Sequence, residues 1–222
     1  MAPLNNPVTL KVVRTIFALT SSSTVLGHER VPREHDGLLL ACTHLSNYDP
    51  LTVSVLLGRE VDWMTRREFF ARPSNAWLIA NSGGFPIERF GPALPGIREA
   101  LRRLDRGRVV GIYPEGELRW GSASVLNGAP TKEGVGLLAR RAEVPVIPCV
   151  TLNSDQFKRL VPWLPLRTGK LWIAFGHPIE PDLSLPPGRA SRRETTQRVG
   201  AGLRETYREL LAAVRPPESV WA

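Results

Sequence analysis

Apolar residues gather in short runs separated by polar turns, and strand-like and helix-like patterns alternate along the chain. Leu38 to Cys42 (LLLAC) is bounded by Gly37 and by Thr43-His44 and reads as a buried strand. Val109 to Gly116 (VVGIYPEG) reads as a second buried strand running into a loop, Val144 to Leu152 as a third and Lys170 to Gly176 as a fourth. Helical spacing fills the intervals. Val12/Ile16 and Val13/Phe17 are i,i+4 apolar pairs, with Lys11 and Arg14 on another face, which predicts an amphipathic helix over 8–19. Asp49-Pro50 is a helix start, an aspartate suited to the N-cap before a proline suited to the first turn, and Gly58 closes that helix. Further helices are expected over 97–106 and 132–142. Ser191 followed by Glu194 reads as a capping box opening a last helix. Its apolar stripe is Val199, Leu203, Tyr207, Leu210, Leu211 and Val214.

Strands alternating with helices predict an α/β fold, a largely parallel central sheet flanked by helices in a single domain with an N-terminal amphipathic helix. The expected organisation is a membrane-docking or capping segment over 1–27, the main domain over 28–215 and a tail over 216–222. In such sheets ligands bind beyond the carboxyl ends of the strands. His44 and Glu115 both fall there.

Charge narrows the partners. The formal net charge is +8, with lysine only at Lys11, Lys132, Lys158 and Lys170, so arginine carries most of the cation. That balance favours nucleic acid, an anionic membrane surface or phosphorylated substrates. No helix-turn-helix or RNA-binding signature accompanies it, so nucleic acid is not expected. Cys42 and Cys149 each sit in an apolar run and read as small core residues, with neither disulfide nor metal spacing. No apolar stretch reaches the roughly 18 residues of a spanning helix. The basic and apolar start, broken by Ser21-Ser22-Ser23, is not expected to be a signal peptide.

Five residues separate His44 from Asp49, a turn of about 500° on a regular helix, so no helix pairs them. A chain that folds back between the strand end and the helix start brings them together. An imidazole there can take a proton from a hydroxyl, and a carboxylate on its other nitrogen fixes the tautomer and stabilises the imidazolium. Asp49 is expected to cap the helix with one oxygen and hold His44 with the other. Taken alone, this spacing reads by default as a structural pair, or as Asp49 serving as a plain N-cap.

The pair is followed in order by GGFPIER (83–89), YPEGELR (113–119), KEGVGLLA (132–139) and VPVIPC (144–149). On these motifs the sequence resembles the glycerolipid acyltransferase family, typified by 1-acylglycerol-3-phosphate acyltransferases. His44 and Asp49 match its first block, Gly83 to Arg89 the second, Glu115 and Gly116 the third, and Val146, Ile147 and Pro148 the fourth. The resemblance spans about residues 25 to 180, with GHERVP before the first block and GHPI (176–179) after the fourth. It implies that His44, oriented by Asp49, deprotonates a lipid hydroxyl. That oxygen then attacks the thioester of acyl-CoA or acyl-carrier protein. The expected acceptor is 1-acylglycerol-3-phosphate and the product phosphatidic acid, with no metal or bound cofactor.

Among the other block residues, Arg89 would grip a phosphate through its forked donors, helped by Arg119. Glu115 would accept an acceptor hydroxyl or hold Arg89, while Gly83 and Gly116 permit tight turns. Two departures bear on the acceptor. Thr43 precedes the histidine where asparagine is common. EGELR replaces the usual glutamate-glycine-threonine-arginine, which places Leu118 at the arginine position and adds Glu117. Glycerol 3-phosphate, another lysophospholipid or a lyso-amino-acid lipid are therefore alternative acceptors, and a non-catalytic protein binding anionic lipid is the alternative of another class.

Trp63, Phe69, Phe70 and Trp77 lie among Arg66, Arg67 and Arg72, and residues 157–172 repeat the theme. Tryptophan at headgroup depth and arginine on lipid phosphate would make this a peripheral contact with the cytoplasmic face of a membrane. The same residues also read as core aromatics beside a solvated cationic face.

Overall fold

The computed structural model describes residues 15, 21–32, 37–81, 83–88, 94–154 and 169–214. The amphipathic helix expected over 8–19 lies outside the described residues apart from Thr15, as do Arg89, residues 157–168 and the tail over 216–222.

Seven strands form one sheet: β1 Ser21–Leu26, β2 Leu38–Cys42, β3 Val61–Arg66, β4 Phe85–Ile87, β5 Val109–Ile112, β6 Val146–Leu152 and β7 Gly169–Phe175. Their order is β1-β7-β6-β2-β5-β3-β4. Every described pairing is parallel except β6 with β7. Among the described residues the α-helices are α1 Asp49–Leu57, α2 Pro73–Asn81, α3 Leu94–Leu104, α4 Gly134–Ala142 and α5 Arg189–Val214. The expected α/β class with a largely parallel sheet is what forms.

The central strands are apolar throughout because both faces of the sheet are covered. In β2, Leu39 and Ala41 point into the cluster that also holds Ala100, Leu104, Leu138, Val199 and Leu203 from α3, α4 and α5. Leu38, Leu40 and Cys42 point the other way, against Val53 and Leu57 of α1. A single strand thereby joins two cores. Of the stripe expected on α5, Val199, Leu203 and Leu210 are fully buried, and Tyr207, Leu211 and Val214 pack at its margin.

Two local expectations are corrected. The Ser191 box does not open the last helix: α5 starts at Arg189, and the Ser191 hydroxyl donates back to the Gly188 carbonyl. Asp49 does not cap α1. Tyr48 occupies the cap without a side-chain bond, and Asp49 is the first helical residue, its carboxylate turned back over the preceding turn. Residues 21–26, within the segment read as docking or capping, form an edge strand paired with β7.

The aromatic-arginine stretch divides. Trp63 on β3 and Phe85 on β4 are core, while Phe69 and Trp77 are exposed. Asp62, on the buried stretch of β3, is held by Arg103 of α3 at 2.7 Å and by Arg108 at 2.9 Å, which fixes the approach of α3 to the strand. Paired in this way, the charge is tolerated away from water.

Candidate active site

β2, β5 and β6 are adjacent and parallel, so their carboxyl ends share one edge of the sheet. His44 leaves β2 there, Tyr113 to Arg119 leave β5, and Ser154 follows β6. The β2–α1 connection is tight. The Asp49 N–H donates to the Ser46 carbonyl at 3.1 Å and the Tyr48 N–H to the Ser46 hydroxyl at 3.2 Å. This turn carries Asp49 back beneath His44.

Asp49 is fully buried and five donors converge on it. His44 Nδ1 lies 3.2 Å from Oδ2, and the N–H groups of Leu45 and Ser46 donate to the same oxygen at 2.8 Å. Oδ1 accepts the Thr151 hydroxyl at 3.2 Å and the Ser154 hydroxyl. A carboxylate oxygen crowded by donors is an acceptor, so the hydrogen of the imidazole is assigned to Nδ1 and the lone pair to Nε2. The His44 side chain remains 18% exposed, so the site opens to substrate on the histidine side.

Glu115 is 2% exposed and works from behind. Its Oε2 accepts the His44 N–H at 3.2 Å; its Oε1 accepts the Ser124 hydroxyl at 2.9 Å and the Val125 N–H at 2.8 Å. Through these bonds Glu115 positions His44 and the loop after β5. Gly116 adopts φ 75°, and a Cβ there would land on Nζ of Lys132, which reaches across the same turn. Arg119 comes to the histidine through its main chain, its N–H donating to the His44 carbonyl at 3.2 Å. Its guanidinium pairs with Glu117 at 2.8 Å, while Nε is buried with no hydrogen-bond partner among the described residues. Gly83 makes its contact on β3. Buried at φ 84°, it accepts the Trp63 N–H at 3.1 Å and so fixes the entry to β4. Arg89 lies outside the described residues.

Several neighbours were not read from the sequence. The Tyr113 ring stacks on His44 with centroids 3.9 Å apart. Thr151 and Ser154, polar positions closing an apolar strand, supply the hydroxyls on Asp49; that polar interruption was the available signal. Burial pushes the Tyr113 phenol well above its ordinary range, and the nearby Asp49 charge adds to the shift.

A buried acid and a tautomer-fixed, partly exposed imidazole at the carboxyl edge of a parallel sheet are the parts of a general base acting on a hydroxyl. The sequence matches the model of the Acyltransferase family over residues 22–152, more than half of the chain. The chain belongs to this family and is an acyltransferase enzyme. A 1-acyl-sn-glycerol-3-phosphate acyltransferase of Bacillus subtilis (strain 168) is 24% identical over 203 residues, covering 89% of this chain and 94% of that protein. Another of the same name, from Streptococcus pneumoniae (strain ATCC BAA-255 / R6), is 21% identical over 76% of this chain and 60% of its own length. The crystal structure of the 1-acyl-sn-glycerophosphate acyltransferase of Thermotoga maritima superposes with a TM-score of 0.62 at 20% identity, covering 89% of this chain and 79% of that chain. This likeness extends to the fold.

Proposed function

We propose that the protein moves a fatty acyl group from acyl-CoA or acyl-carrier protein onto the free hydroxyl of 1-acylglycerol-3-phosphate, forming phosphatidic acid in phospholipid biosynthesis. The observation that carries this reading is the hydrogen bond of His44 Nδ1 to buried Asp49, which leaves Nε2 available on the open side. Nε2 takes the hydroxyl proton as the oxygen attacks the thioester carbonyl. The tetrahedral intermediate collapses, the C–S bond breaks, and the departing sulfur takes the proton back from the imidazolium. The ester and a free thiol result, and the histidine is restored.

The named relatives support this acceptor, and so does the Nε of Arg119, a donor with no hydrogen-bond partner among the described residues and of a type suited to a phosphate oxygen. Arg89 would share that task. The enzyme would act from the cytoplasmic face of a membrane as a peripheral protein, using exposed Phe69 and Trp77 with neighbouring arginines. Among the described residues no helix is long and apolar enough to cross a membrane. The Glu117–Arg119 pair favours one second reading: a carboxylate neutralising the would-be phosphate partner suits an acceptor with a less charged headgroup, such as a lyso-amino-acid lipid.

The test is thiol release from acyl-CoA by purified protein with detergent-dispersed lysophosphatidic acid, against a panel of glycerol 3-phosphate, other lysophospholipids and lyso-amino-acid lipids. Cys42 and Cys149 are both buried, and burial pushes the Cys42 thiol well up, so a thiol reagent reads the released product. His44→Ala is expected to abolish release. Full activity in that variant would remove His44 as the base, and a preference for another acceptor would replace lysophosphatidic acid.

A further inference from the structure

Three aromatic rings are stacked behind the open face of the site. His44 lies on Tyr113 with centroids 3.9 Å apart and planes 20° from parallel, and Tyr113 lies on Trp63 at 5.2 Å and 15°. We infer that this stack is a device for the transfer reaction, in which the Tyr113 face sets the plane of the His44 imidazole and stabilises the cation that forms on it. The inference rests on the reading of His44 as general base.

Four observations support it. The bond from Nδ1 to Asp49, at 3.2 Å, is a single contact, and one such bond leaves the imidazole free to rock about its axis. A flat ring at 3.9 Å removes this freedom and fixes the direction of the Nε2 lone pair. The charge appears on the imidazole only after proton transfer, directly over a π face whose quadrupole attracts cations. The stabilisation is therefore stronger along the reaction than in the resting site, which is the condition for accelerating it.

The stack is also anchored at its far end. The Trp63 indole N–H donates to the Ser54 hydroxyl at 3.0 Å, and Ser54 donates to the Pro50 carbonyl at 2.8 Å. The third ring is thus tied to α1, the helix whose first residue is Asp49. The acid and the aromatic column are referenced to the same element. Finally, the Tyr113 hydroxyl is buried with no hydrogen-bond partner among the described residues. A buried phenol that forgoes its bond carries a penalty, so the position is explained by its ring and not by its oxygen.

Among the described residues, the charged and titratable groups facing this histidine are few. Asp49 meets Nδ1, and Glu115 and Arg119 meet its main chain from the loop after β5. Tyr113 covers the ring, and the Cys42 and Cys149 thiols lie close enough to act on Tyr113.

The experiment varies the π face without changing the packing. Tyr113→Phe serves as the reference, and position 113 is then filled with mono-, di- and trifluorinated phenylalanine, which drain the face stepwise. Each protein is assayed for kcat/KM across pH, and the His44 ring titration is followed by NMR. Tyr113→Phe is expected to retain activity within about threefold. The fluorinated series should lose about three- to tenfold in kcat/KM at the plateau. The acid limb of the profile and the midpoint of the ring titration should move stepwise to lower pH, because the imidazolium loses its π contact. A flat series would overturn the inference, as would a rate loss with an unmoved acid limb or a folded but inactive Tyr113→Phe. His44→Ala separates the two readings. If that variant stays active, the base assignment itself fails; if it is dead while the fluorinated series is flat, only the role of the stack falls.

Discussion

The N–H of His44 donates to Glu115 Oε2 at 3.2 Å, joining the exits of two neighbouring parallel strands across 71 residues of sequence. The other oxygen of Glu115 takes Ser124 and Val125, so the carboxylate receives only donors. Glu115→Gln would turn one of those acceptors into an NH2 group facing an N–H or a hydroxyl. The expected cost is about 1–3 kcal/mol in urea unfolding. With the histidine's main chain released, kcat should fall while KM for the acceptor stays within about twofold, since no contact with an acceptor is lost. A KM increase of about tenfold or more with unchanged stability would return Glu115 to the substrate.

Asp49 supports stability as well as orientation. Five donors meet it at zero exposure, two of them main-chain N–H groups of the β2–α1 turn. Asp49→Ala would leave those donors buried and unpaired, a loss of about 3–5 kcal/mol. For a domain of this size the melting temperature should drop by roughly 6–20 °C, at about 2–4 °C per kcal/mol. His44→Ala, at a partly exposed position, should melt within a few degrees of the parent while losing the reaction. Calorimetry on both variants separates the positions: equal melting losses would contradict the donor count at Asp49.

Much of this arrangement was legible in the sequence, and the gaps have physical causes. Leu38–Cys42 and Val109–Ile112 declared themselves because strands covered on both faces are uninterrupted apolar runs. β1 was missed because Ser21-Ser22-Ser23-Thr24 has no apolar signal; it is an edge strand whose ladder with β7 is main-chain bonding. β3 was obscured by Asp62, a charge made tolerable by arginines 41 and 46 residues away, which no local pattern reports. The His44–Asp49 contact followed from strand, turn and helix signals. The tasks of the Asp49 oxygens did not, because Thr151 and Ser154 arrive from more than 100 residues away. Tyr113 went unread for the same reason: nothing in YPEG says that its ring lies on an imidazole.

The Glu99 cluster on α3 gives a pH dependence with a definite sign. Hydrogen bonding to Arg102, with Arg103 adding to it, holds the Glu99 carboxyl down at about 2. A depressed acid stabilises the fold above its unfolded value of about 4.3 and loses that contribution as pH falls through its folded value. The Arg102 guanidinium is half exposed and Glu99 is reached by solvent, so screening holds the contribution under about 1 kcal/mol. Glu99→Gln should therefore melt a few degrees below the parent at pH 7, with the difference shrinking between about pH 4 and pH 2. A difference that stays constant across that range would show that the ion pairs are not its source.

The narrowest packing around the aromatic column lies at Gly111, directly opposite Trp63 in the β3–β5 register. A Cβ at that position would sit 2.5 Å from Trp63 Cε3 and 2.6 Å from Cζ3, well inside contact distance. The indole lies flat across β5 only because this residue has no side chain, and from there it reaches Tyr113. Gly111→Ala would have to tilt Trp63, and the tilt loads both the bond to Ser54 and the stack on Tyr113. Overpacking of this kind costs about 1–3 kcal/mol. Because the column continues to His44, the same variant should also lower kcat while leaving KM for both substrates within about twofold. Trp63→Phe in the Gly111→Ala background removes the clashing second ring and should restore much of the lost stability. If stability returns but the rate does not, the indole itself supports the histidine; if Gly111→Ala has parent stability and parent kcat, the contact between β3 and β5 is looser than these distances state.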